Sequence, residues 1–140
     1  FHMPELPENS RVTGAYLALN RKASFTTGDP AGLGPVTVDL SLGGFSGDSQ
    51  LQLGDFNAAA DLSSIAQLQE GLAARSDFGG AALDLLGSAM ERGAVVAQLR
   101  LQATASTDGN NRNDFVYYFS GEQGTESRRP QLILEYQLAD

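Results

Sequence analysis

The sequence predicts an all-β domain, an antiparallel β-sandwich of jelly-roll type with one short helix near residues 86–92. Three observations carry this. Alternation of apolar and polar residues with period 2 dominates the chain, as expected for strands with one buried and one wet face. Gly- and Pro-rich stretches interrupt it at intervals of a sandwich or jelly roll. The intervening segments mostly lack helical periodicity, which argues against βαβ units. A length of 140 residues fits a single domain spanning 1–140.

The strands follow in order. Residues 12–21 (VTGAYLALNR) place Ala15, Leu17 and Leu19 on one face and Tyr16 and Ala18 on the other. The stretch 26–35 (TTGDPAGLGP) is a turn, and its AGLGP reads as a hairpin connection. It lacks the lysine and Ser/Thr of a phosphate-binding loop. Residues 36–42 (VTVDLSL) alternate most cleanly, Val36, Val38, Leu40 and Leu42 against Thr37, Asp39 and Ser41. A second turn follows at 43–50 (GGFSGDSQ).

Residues 61–75 allow two readings: a helix capped by Asp61, with Leu62, Ile65, Leu68 and Leu72 on one stripe, or a short strand around 65–68. Residues 82–93 (ALDLLGSAMERG) read as a strand that turns into one or two helical turns, stopped by Gly93. Residues 95–104 return to alternation, with Ala97, Leu99 and Leu101 inward and Gln98, Arg100 and Gln102 outward. In 115–119 (FVYYF), Phe115, Tyr117 and Phe119 are expected in the core and Tyr118 outside. Residues 131–138 put Leu132, Leu134 and Tyr136 on the core face.

Composition narrows the function. A net charge of −8 argues against nucleic acid, which needs a basic patch, and against an anionic membrane surface. No apolar run is long enough for membrane insertion. Without cysteine, thiol chemistry, disulfides and Cys-type zinc sites are excluded within the chain. His2 is the only histidine, and no G-x-S-x-G elbow accompanies it. The acids Asp39, Asp84, Glu91, Glu122, Glu126 and Glu135 are scattered over different segments and read as solvated groups and caps. The chain is therefore expected not to be an enzyme.

The segment 107–114 (TDGNNRND) is the candidate metal loop. Calcium takes six to eight oxygens from carboxylates, amides and carbonyls, and Asp108, Asn110, Asn113 and Asp114 offer them in one loop. The spacing departs from an EF-hand, with Gly109 second and Arg112 in the middle. The same residues equally suit an Asx-rich turn.

SRVTGAYLAL, GLGPVTVDLSLGGF, ALDLLGSAMERGAVVAQLRLQ, DFVYYFSGE and RRPQLILEY occur in this order. That order resembles the DNRLRE-type domains, bacterial and archaeal extracellular β-sandwiches related to carbohydrate-binding modules. Leu83-Asp84-Leu85 through Leu101, Phe119-Ser120-Gly121-Glu122 and Arg129-Pro130 through Tyr136 fit the family's stretches, while its signature motif is absent. The family also carries one or two strands upstream of the position of Phe1, so the chain reads as a fragment of a larger protein or as a sandwich completed by a neighbour. The resemblance implies a non-catalytic extracellular or cell-surface module, carbohydrate-binding or adhesive; Tyr118, expected on the outer face of its strand, and Tyr16 are the candidate ligand contacts. Its partners would be a polysaccharide, or other subunits of a surface layer or fibre joined by strand contacts.

Overall fold

The computed structural model describes residues 1–28, 30–69, 71–93, 95–106 and 108–138, and only the backbone over 23–27. Thr107, at the head of the Asx-rich loop, lies outside them. The chain order is β1 (Ser10–Thr27), β2 (Val36–Leu42), β3 (Leu62–Gln67), β4 (Ala73–Asp77), α1 (Gly80–Glu91), β5 (Ala97–Ala103), β6 (Phe115–Tyr118) and β7 (Gln131–Leu138), with short 3-10 turns between. The protein is mostly β, with two antiparallel sheets and one helix. Among the described residues no helix is long and apolar enough to cross a membrane.

β1 is the spine of the first sheet. Its first half pairs with β7, Tyr16–Asn20 pair with β4, and its last residues pair with β6. Arg21 N–H donates to the Leu72 carbonyl on the β4 side, whereas the Asn20 carbonyl accepts from Phe119 N–H. Consecutive strand residues present their backbone groups to opposite edges, so β6 takes over from β7 along one edge of β1. The second sheet has the order β3-β2-β5. The AGLGP segment therefore does not close a hairpin: it carries the chain from one sheet to the other.

The core lies between the sheets. Val12, Ala15, Leu17 and Leu19 of β1 meet Val38 and Leu40 of β2, Ala74 of β4 and Ala97 of β5. The helix adds Ala82, Leu86, Ala89 and Met90, spaced to form one apolar stripe. That spacing is why helix begins at Gly80 and takes in residues 82–85, where the sequence suggested a strand. The described residues of 61–75 form β3 and the start of β4 and no helix. Asp61 caps nothing: its Oδ2 accepts from Leu42 N–H at 2.7 Å and Ser41 Oγ at 3.3 Å, tying down the end of β2. Tyr136 is exposed where the core was expected; it lies opposite Val12, just past the bulge between Val12 and Gly14 that interrupts the pairing of β7 with β1.

The outer face of the second sheet is covered around Asp39, Ser41 and Arg100, while Gln67 and Gln102 at its other end stay exposed. Residues 43–60 fold across it as a roof. Arg100 donates from Nε and Nη2 to Asp39 Oδ2 at 3.1 and 2.7 Å. Its Nη1 points at the carbonyls of Asp55, Phe56 and Ala58, at 2.8, 3.1 and 2.7 Å. Asp39 Oδ1 accepts from Ser64 N–H at 2.8 Å, holding the left-handed Ser64 of β3. Phe45, 2% exposed, lies under the guanidinium. Gln98 accepts from Phe45 N–H and donates to the Ser49 carbonyl. The roof turns sharply at Gly44, where φ is +108° and a Cβ would overlap the Asp48 carbonyl.

Removing one partner of a buried ion pair leaves the other charged and stranded. Arg100→Ala is expected to lower the urea-unfolding free energy by about 3–5 kcal/mol. The double change Arg100→Met with Asp39→Leu should recover part of that. A loss below about 1 kcal/mol for Arg100→Ala would show that Asp39 reaches water and that the pair does not hold the roof.

Candidate functional site

β6 presents the face opposite to the one expected. Val116 and Tyr118 are half-buried, Tyr118 against the core, whereas Phe115 and Tyr117 are 44% and 47% exposed. Alternation identifies which residues share a face but not which face turns inward. The pairing with β1 decides it, with Tyr118 opposite Arg21 and a bulge between Arg21 and Thr26. Phe119 is half-buried at the strand's end beneath the Arg128 guanidinium.

Tyr118 lines a cleft of about 280 Å³ at one end of the gap between the sheets. Arg21 enters from β1, Val36 from the start of β2 and Gln67 from the end of β3, with Leu68 and Gln69 just beyond. Leu68 N–H donates to the Val36 carbonyl at 2.8 Å, closing the floor. The cleft thus joins an apolar base to a phenol and a guanidinium, with the exposed Gln67 and Gln69 at its edge. Such a set can hold a ligand with an apolar face and several hydroxyls. No family model, curated protein or solved structure matches this chain.

Tyr16 is not part of that cleft. It sits on β1 opposite Asp77, and the Arg75 guanidinium covers its ring at 3.7 Å from the centroid. Arg75 Nε and Nη2 donate to Asp77 Oδ1 at 3.0 and 2.7 Å. One face of Tyr16 is therefore already occupied by a cation. The structure does not bring Tyr16 and Tyr118 to a common site. The aromatic pair on show is Phe115 and Tyr117, with ring centroids 6.1 Å apart and planes inclined by 42°.

The Asx-rich loop is organised by its own bonds. Asp108 Oδ1 accepts from Asn110 N–H at 3.0 Å, and Oδ2 accepts from Asn110 Nδ2. Asn110 Oδ1 accepts from Arg112 N–H at 2.7 Å. Gly109 and Asn111 adopt positive φ. These are Asx-turns in series. Asp114 packs against Gly28 and Asp108 against Gly32, so the loop docks on the crossing between the sheets. Among the described residues no three His, Cys, Asp or Glu side chains come together. His2 is exposed and bridges its backbone to Val96.

Arg21, Gln67 and Gln69 escaped the sequence reading. Arg21 is simply the last residue of an alternating stretch, and the two glutamines flank Leu68 in the segment with two readings. The pairing of β1 with β6 brings Arg21 beside Tyr118, and the second sheet brings Gln67 and Gln69 to the same cleft.

Two expectations follow. Hydrogen bonds from Arg75 hold the Asp77 carboxyl below the ordinary aspartate range, with the Arg75 charge adding to the effect. A depressed carboxyl stabilises the fold above the ordinary aspartate value and loses that contribution as pH falls through its own. In an NMR titration, Arg75→Gln should therefore raise the Asp77 midpoint towards the ordinary value; an unmoved midpoint would contradict the assignment. Calcium, for its part, would have to displace the turn bonds of Asp108 and Asn110. Adding it to chelated protein is expected to move the melting temperature by no more than about 1 °C, and a rise of several degrees would establish a site.

Proposed function

We propose that this chain is a non-catalytic carbohydrate-binding module of an extracellular or cell-surface protein, a sandwich of jelly-roll type, and that the cleft at Tyr118 holds the sugar. The observation that carries the reading is the cleft's composition. Leu68, Val36 and Val116 give a floor for the C–H face of a pyranose, while Tyr118 and Arg21 bring hydrogen-bonding groups and Gln67 and Gln69 stand at the edge. Its volume suits about one ring, at the small end of ligand pockets. The net charge of −8 is compatible with a neutral ligand. The resemblance to DNRLRE-type domains points the same way. The reading assigns no catalytic step; Asp39, the acid on the cleanest strand, is committed to Arg100 and Ser64.

The test is retention on a panel of insoluble polysaccharides and in glycan-containing native gels. Tyr118→Phe removes the hydroxyl and keeps the packing; Gln67→Ala changes an exposed side chain. Each is expected to weaken retention roughly tenfold, about 1.4 kcal/mol. The proposal fails if no polysaccharide retains the native protein, or if both variants are retained unchanged. It also fails if only Tyr117→Ala abolishes retention, since the site would then lie on the outer face of β6.

A further inference from the structure

We infer that two copies of this chain join through the outer edges of β5, antiparallel about a two-fold axis at Leu101. This goes beyond the proposed sugar cleft, whose lining includes no residue of β5.

The edge comes first. β5 pairs with β2 without a register shift from Ala97 to Ala103. Gly43 N–H reaches the Val96 carbonyl and Thr37 Oγ1 the Gln102 carbonyl, so the even-numbered residues turn their backbone to β2. The odd-numbered ones turn outward. Ala97 exchanges both backbone bonds with Phe1, and Met3 N–H donates to the Val95 carbonyl, so Phe1–Met3 already bridge to this edge. Beyond it, Leu99, Leu101 and Ala103 present N–H and C=O groups with no backbone partner among the described residues.

Proteins blunt such edges with lysine, proline, bulges or a covering segment. β5 (AQLRLQA) has no lysine, no proline and no bulge. Its one charge, Arg100, is turned into the Asp39 pocket. Beside the edge runs an apolar groove of about 590 Å³ that includes Leu99. Its rim is formed by Leu51, Leu53 and Phe56, which are 92%, 100% and 65% exposed. Inside, Leu99 and Leu101 are only half-buried against the core.

A second copy fits this edge because the free run is self-complementary. With the axis at Leu101, Leu99 faces Ala103 of the other copy and Arg100 faces Gln102, so no like charges meet. The three outward residues of each copy then make roughly six main-chain bonds, since directly opposed outward residues exchange two each. The run also has the right limits. Phe1–Met3 close it at one end. At the other, Thr104 and Ala105 bend away to the Pro35 and Leu33 carbonyls, so the second copy leaves the edge before meeting Phe1. Each rim of Leu51, Leu53 and Phe56 comes to lie over the far half of the other β5. One occupant thereby covers both the open edge and the exposed apolar rim.

Sedimentation over roughly 1 μM to 1 mM should show a concentration-dependent dimer. Ala103→Pro removes an outward N–H while leaving the bonds to β2, and Leu53→Lys places a charge on a fully exposed rim residue. Each should raise the dimer Kd at least about tenfold, with far-UV spectra and binding of a soluble single sugar unchanged. Should Ala103→Pro fail to fold, Leu53→Lys carries the test alone. The chain has no cysteine, so Leu101→Cys should oxidise to a single covalent dimer. A monomer throughout the range overturns the inference and leaves the edge to a strand of a different polypeptide. So does a dimer that both edge variants leave intact, or an open-ended polymer.

Discussion

Burial of the Asp39 carboxylate against the Arg100 guanidinium decides how the second sheet is covered. A buried charge must be paired and its remaining hydrogen bonds met, or the fold loses several kcal/mol. Here Asp39 takes two N–H groups from Arg100 and the backbone N–H of Ser64. The remaining guanidinium nitrogen, Nη1, turns to three carbonyls of the roof. A loop with little regular structure cannot cover a sheet unless its own polar backbone is satisfied. Arginine, with five donors in a rigid fork, supplies both functions, and lysine with its point charge would not. Phe45 can then be fully buried beneath an otherwise irregular segment.

The same arrangement leaves the molecule lopsided. β3 packs beside β4, and along that side Leu68, Ala74 and Phe78 are fully buried. Gly79 N–H donates across to the Ile65 carbonyl, stitching the two sheets together there. On the side of β5 and β7 the core-facing leucines 99, 101, 132 and 134 are only partly covered. Each of these strands has a neighbour on one edge, apart from the short pairing of Phe1–Met3. Apolar area that stays half in water forfeits part of the roughly 25 cal/mol per Å² that full burial would give. The roof adds to the imbalance by holding Leu51, Leu53 and Phe56 outward.

Where strands lie was legible because alternation is a local property. The spans around β2, β5 and β7 agree with their periodicity to within a residue or two. Which face turns inward was not, because a period of two is symmetric. For β2 and β5 the leucines and valines broke that symmetry; for β6 both faces are aromatic, and the register against Arg21 was needed. The helix was misjudged because Leu83 and Leu85 also fit alternation, while Ala82, Leu86, Ala89 and Met90 reveal a helical stripe only when read together. The roof was invisible for a related reason: Asp39 and Arg100 look like ordinary wet-face residues until they are placed opposite each other in register. The cleft depends on contacts between residues far apart in sequence, so it had no local trace beyond Tyr118.

The two proposals bear on each other through geometry. A single cleft of about one sugar ring offers few contacts, and affinity from so small a site is modest once the cost of fixing the ligand is counted. A repeated polymer changes that arithmetic. Pairing at β5 would hold two clefts on one rigid body, since the second sheets of both copies become one continuous sheet. Once the first cleft is filled, the second meets its sugar at the effective concentration set by the polymer itself, which can raise overall avidity by about 10²–10⁴ without any new contact. A soluble single ring would gain nothing from the pairing. Selectivity for a chain over its monomer would then come from the sheet edge, and the shape of the cleft would need to specify only the ring.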